Sequence, residues 1–93
     1  MSGKKYDNGK LQMSLIDPIF IEELAEVLTF GANKYGPNNW QEVEEAPRRY
    51  KDALLRHIVA YLKGEVLDQE SGLDHLAHAA CNVMFLMYLE RNK

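Results

Sequence analysis

Two short stretches hold the side chains best able to do chemistry. Residues 22–26 read EELAE, so Glu22, Glu23 and Glu26 fall within five positions. Residues 74–82 read DHLAHAACN and supply Asp74, His75, His78 and Asn82. On a helix, Glu22, Glu26, Thr29 and Asn33 line up on one side, with Glu23 at its edge. At about 100° per residue, His75, His78 and Asn82 fall within roughly 60° of one another. Three neighbouring carboxylates repel one another unless solvent or a cation offsets their charge. A wet face near a helix N-terminus, where the dipole favours acids, accounts for them equally. The histidine stripe lies on an apolar helix, where each unmet polar group costs roughly 1–3 kcal/mol. A partner side chain, a metal or a ligand must face it.

In an antiparallel bundle the carboxylate stripe can face the histidine stripe. Glu22 and Glu26 with Asp74, His75 and His78 would then form a mixed oxygen and nitrogen metal set. Oxygen-rich sets suit Mg²⁺ or Mn²⁺, and added imidazole moves the preference towards Mn²⁺, Fe²⁺ or Zn²⁺. Without a metal, a glutamate accepting hydrogen bonds from His75 or His78 would satisfy the same groups.

Other side chains suit an anionic or aromatic ligand. Lys34, Asn39 and Trp40 place a cation, an amide and a large flat surface in one loop. Such a set fits phosphate and base recognition, and fits equally a loop that tucks Trp40 into the core. Lys4, Lys5 and Lys10 make the N-terminus locally basic, either as a solvated tail or as an arm over an anion. Arg56 lies on the polar side of its helix, and His57 sits on the boundary beside Tyr50 and Tyr61. There is no Gly-rich phosphate loop, no nucleophile elbow and no paired-cysteine metal site. HxxH is not the HExxH of zinc proteases. A histidine/aspartate phosphohydrolase using His57, His75 and Asp74 would need a longer chain.

The elements that must position these groups are helices. Residues 1–12 are polar, and the apolar run 13–16 is expected to pack across the helices. Asp17-Pro18 is a strong helix start, and the first helix is expected from 18 to 33 or 34, ended by Gly36-Pro37. Residues 41–47 form an acidic connector, expected as a short helical turn. A second helix is expected from 48 or 49 to 63, with Leu54, Leu55, Ile58 and Leu62 on its apolar side and Gly64 at its end. The last helix, within 71–90, is apolar all round from 73 to 89 and is expected at the centre, capped by Ser71 or Asp74. No strand pattern occurs. The fold class is all-α, a small bundle of three long helices plus a short piece, forming one domain over residues 1–93.

Bulk properties narrow the class. A 46% hydrophobic fraction is ordinary for a globule, and a net charge of −3 leaves no basic footprint for duplex nucleic acid. The single cysteine, Cys81, excludes a disulfide scaffold and fits a reducing cytoplasm. No apolar run reaches the roughly 18 residues that span a bilayer, and the first residues carry no apolar signal segment. A cytoplasmic protein without membrane contact is expected.

Glu22-Glu23-Leu24-Ala25-Glu26 matches the EExxE of the MazG-like, all-α nucleoside triphosphate pyrophosphatases. More closely, LAEVLTFGANKYGPNNW, LLRHIVAYLKGE and SGLDHLAHAACNVMFL resemble, in order, the related phage dATP/dGTP diphosphohydrolase family. The likeness runs from about residue 9 to 88. It implies a MazG-like bundle in which Mg²⁺ or Mn²⁺ bridges helix carboxylates and a triphosphate, releasing a monophosphate and pyrophosphate. By motif, Glu22, Glu23 and Glu26 would be the catalytic, metal-binding block. Lys10, Lys34, Asn39, Trp40, Arg56, His57 and Asn82 are the candidate substrate contacts. The later ExxD of MazG-like enzymes is here His75-Leu76-Ala77-His78, which lowers the negative charge offered to Mg²⁺ by about two units. That departure keeps open an alternative, a binding protein that sequesters a nucleotide without cleaving it. The resemblance and the run 83–89, apolar on every side, both imply a homodimer or homotetramer, in the host cytoplasm if phage-encoded.

Overall fold

The structure is a computed structural model and describes residues 8–93. Lys4 and Lys5 of the expected basic arm lie outside the described residues, and Lys10 is exposed. Helix α1 spans Pro18–Tyr35. The Asp17 carboxylate accepts a hydrogen bond from the Ile19 N–H at 3.0 Å, and Pro18 needs no N–H partner at the first helical position. Gly36 closes the helix at φ 96°, its N–H donating to the Ala32 carbonyl at 2.8 Å. The apolar run before α1 does not pack across the helices as expected. It forms a single 3-10 turn, Met13–Leu15, with Met13, Leu15 and Ile16 exposed.

Past Gly36 a short 3-10 turn, Asn39–Gln41, carries Trp40, and the Trp40 carbonyl accepts from the Tyr50 hydroxyl at 2.6 Å. Helix α2 spans Ala46–Leu62 and begins earlier than expected. Pro47 stands in its first turn, where a missing N–H costs nothing. The connector ahead of it therefore contributes its last residues to the helix, and the short turn lies upstream of it.

Helix α3 spans His75–Arg91, so of the two expected starts, at Ser71 or at Asp74, the later one is found. Asp74 holds the N-cap position, but its side chain makes no capping bond. Residues 63–74 form a loop pinned to the start of α3. The Asp68 N–H donates to Leu73 O at 2.8 Å, and the His75 N–H donates to Val66 O at 2.9 Å. Leu67 and Asp74 form an isolated antiparallel bridge, and no strand occurs among the described residues.

The architecture is all-helical. α3 packs on α2 most extensively and on α1 over a smaller area. Val27, Ala77 and Cys81 form the buried centre, with Leu24, Leu28, Leu73 and Phe85 around it. The expectation that α3 is buried all round does not hold. His75, Ala77, Ala79, Cys81 and Asn82 are buried, whereas Leu76, Val83 and Met87 are exposed. Helices α1 and α2 cover only part of the circumference of α3. Leu55, Val59 and Leu62 are exposed on α2 at helical spacing as well. No helix among the described residues is long and apolar enough to cross a membrane.

Candidate functional site

The histidine stripe faces α2 and the loop before α3, where the sequence pattern had suggested the glutamates of α1. His75 Nδ1 lies 2.8 Å from His57 Nδ1, one nitrogen donating to the other. His78 stacks on His57 with ring centroids 4.6 Å apart and planes 8° from parallel. His78 Nε2 is 2.7 Å from the Ser71 hydroxyl, which also accepts from the Leu73 N–H at 3.1 Å. Asn82 Nδ2 donates to the His78 carbonyl at 2.9 Å, so the third polar group of the stripe is met within its own helix. The physical reason is packing: the more extensive α2–α3 contact turns this stripe inward and leaves the carboxylates of α1 to solvent.

Asp68 joins this cluster from the loop. Its Oδ1 accepts from the N–H groups of Glu70 at 2.8 Å and Ser71 at 2.9 Å, while Oδ2 lies 3.9 Å from His57 Nδ1. Burial pushes the Asp68 carboxyl up. The Ser71 and Glu70 N–H groups, with the nearby rings of His78 and His57, more than offset that and hold it below the ordinary carboxylate value. Burial, then His78, lowers His57 to about 4, against the opposing pull of Asp68. His78 is lowered by burial too. One ring nitrogen of His57, one of His75 and one oxygen of Asp68 all lie within 4.8 Å of one another.

The carboxylates occupy a neighbouring open groove. Glu22, Glu23 and Glu26 line it with Asn33 and Ser71. Asp74 lies beside Glu23: its carboxylate can accept a hydrogen bond from the protonated Glu23 carboxyl, and this, then burial and the negative charges nearby, raise Glu23. The expected set of Glu22, Glu26, Asp74, His75 and His78 is therefore divided. Asp74 stays with the carboxylates, and the two imidazoles join His57 and Asp68.

A wider cleft opens on the other side of α1. Lys34, Asn39, Trp40, Arg56, His57 and Asn82 all line it, together with Arg49, Tyr50 and Asp68. Lys10 is not among its lining residues. Trp40 is half-buried against Phe85 and also lines this cleft, so packing and a ligand-facing position are compatible. Lys34 is tied to Glu70 by an ion pair, which raises its ammonium above the ordinary value. Ala25, Thr29 and Phe30 border both the groove and the cleft.

A family model described as dATP/dGTP diphosphohydrolase, N-terminal, matches residues 1–93. The chain belongs to this family. It is also similar to a protein of Salmonella phage PMBT28 named dATP/dGTP diphosphohydrolase, with 46% identity over 93 residues. That match covers 100% of this chain and 31% of the relative, so the chain spans about a third of the relative's length. No solved structure matches it.

Within this diphosphohydrolase N-terminal fold, Ser71 is the site residue that residue-by-residue reading passes over, and Asp68 is offered by it only as a residue that completes a neighbouring copy's pocket. Asp68 reads as one more acid of an acidic loop, and Ser71 as a helix cap. The available signal is the spacing Asp-x-Glu-Ser, in which an aspartate can bond the N–H groups two and three residues on.

Proposed function

We propose that this domain binds a purine deoxynucleoside triphosphate and, with a divalent cation, takes part in its hydrolysis to the monophosphate and pyrophosphate. The observation that carries this reading is the cleft shared by Lys34, Asn39, Trp40 and Arg56, bordered through α1 by the carboxylate groove. The name of the 46% identical relative supports the same substrate class.

The groove suits Mg²⁺ or Mn²⁺, because its donors are carboxylates from α1 together with Asp74, and the crowding that raises Glu23 is what a hard cation relieves. Glu22, Glu26 and Asp74 would hold the cation. When bound, it neutralises charge on the triphosphate oxygens. Lys34 and Arg56 meet the phosphates, and Trp40 offers a flat surface to the base. Glu23, beside that set, takes a proton from the water whose oxygen bonds to phosphorus as the bridging P–O bond breaks and pyrophosphate leaves.

Incubation with each dNTP and Mg²⁺ or Mn²⁺ should release pyrophosphate from dATP or dGTP. Paired replacement Glu22→Gln and Glu26→Gln should lower the rate by at least about 100-fold with an unchanged circular dichroism spectrum. Absence of turnover with every nucleotide and either metal overturns hydrolysis by this chain. A second reading, sequestration without cleavage, is favoured by the turning of His75 and His78 away from the carboxylates. Recovery of intact nucleotide from the denatured protein would select it.

The proposal includes assembly. The apolar flank of Leu55, Val59 and Leu62 on α2 and Leu76, Val83 and Met87 on α3 suits a second copy in a MazG-like dimer or tetramer. A scattering mass of one chain at micromolar concentration would refute this.

A further inference from the structure

We propose that His57, Asp68 and His75 form a second metal site, one for a borderline divalent transition metal such as Zn²⁺, separate from the carboxylate groove. The three ligands come from α2, from the loop and from the first residue of α3, so folding alone brings them together. Their donor atoms lie within 4.8 Å of one another, and the closest pair is 2.8 Å apart. Tetrahedral ligands bound at about 2.0–2.1 Å stand roughly 3.3 Å apart, so small ring movements suffice to admit an ion.

A metal-free account of the cluster leaves the contact between Asp68 and His57 unmade. A single proton can join His57 Nδ1 to His75 Nδ1. Asp68 Oδ2 then stays 3.9 Å from His57 Nδ1, beyond hydrogen-bond reach. His75 is only 7% exposed, so its Nδ1 meets the other two donors away from solvent.

The surrounding groups are those that orient metal ligands. Glu70 and Ser71 N–H groups occupy Asp68 Oδ1 and leave Oδ2 for the ion. His78 stacks on His57 and is itself held by Ser71, which fixes the ring plane. Two imidazoles and one carboxylate favour Zn²⁺, Fe²⁺ or Mn²⁺ over Mg²⁺, unlike the all-oxygen groove. His57 and Asp68 also line the wide cleft, so a remaining coordination position would face the space beside Arg56. The site would tie α2 to the start of α3 whether or not the chain acts on nucleotides.

The test is titration of chelator-treated full chain with Co²⁺, followed by absorbance, then displacement with Zn²⁺. One equivalent should bind at micromolar concentration with ligand-field bands of a low-coordinate nitrogen–oxygen site. His57→Asn and Asp68→Ala should each weaken binding by at least about 100-fold, while paired Glu22→Gln and Glu26→Gln should leave the bands unchanged. Should the cluster variants misfold, imidazole ¹⁵N shifts of the wild-type chain on Zn²⁺ addition give the same answer, moving at His57 and His75. Lack of stoichiometric uptake, or bands that vanish with the glutamate pair and survive His57→Asn, would overturn the site. Neither outcome depends on nucleotide turnover.

Discussion

Trp40 stacks on Phe85 with ring centroids 4.7 Å apart and planes 20° from parallel, and it meets Tyr88 edge-on at 4.9 Å. This contact fastens the turn after α1 to the middle of α3. Aromatic pairs of this geometry add about 0.5–1.5 kcal/mol beyond the area they bury. Trp40→Ala should therefore destabilise the fold by about 2–4 kcal/mol, below the full cost of a completely buried Trp. Urea unfolding followed by circular dichroism measures it. A loss under 1 kcal/mol would mean that the turn does not depend on this stack.

The Lys34–Glu70 ion pair holds a cation of the cleft in reserve. A triphosphate must compete with Glu70 for that ammonium. Exposed pairs are weak, so Glu70→Gln should tighten triphosphate binding by about 5-fold at most, and Lys34→Ala should weaken it. Calorimetry with a non-hydrolysable dATP or dGTP analogue reads both. Equal affinities in all three proteins would remove Lys34 from the phosphate contacts.

Tyr50 sets an alkaline limit. Burial raises its phenol above the ordinary value of 10.0, against a small opposing effect of Arg49, and only the protonated hydroxyl can donate to the Trp40 carbonyl. Because the folded value is raised, the stabilisation is complete below pH 10 and is lost as pH climbs through the folded value. The denaturation midpoint should fall above pH 10, and more steeply than in Tyr50→Phe. Identical alkaline profiles would show that Tyr50 ionises as freely in the fold as outside it.

Features signalled by neighbouring residues are legible in the chain, and those set by packing are not. Asp17-Pro18 and Gly36 fix both ends of α1 because caps act over one turn. The spacing of His75, His78 and Asn82 shows a polar stripe, and these residues are indeed buried or half-buried. Which helix faces that stripe depends on how three helices pair, and periodicity is the same for either choice. The place of Asp68 beside His57 within one chain is visible only with the loop folded, since its hydrogen-bond partners are backbone groups that no side-chain pattern reports. Ser71 was misread for a related reason: a hydroxyl that could cap a helix bonds His78 instead.

Cys81 is the only thiol of the chain and is 1% exposed, with burial raising it to about 11 and its S–H donating to the Leu24 carbonyl of α1 at 3.6 Å. Alkylation needs both solvent access and the thiolate, and the closed fold denies both. The rate of iodoacetamide labelling in native buffer should therefore follow the frequency with which α1 lifts from α3. Loosening substitutions such as Val27→Ala should quicken labelling, and a ligand bridging the groove and the cleft should slow it. The lone sulfur thus serves as a built-in stopwatch for breathing between these two helices.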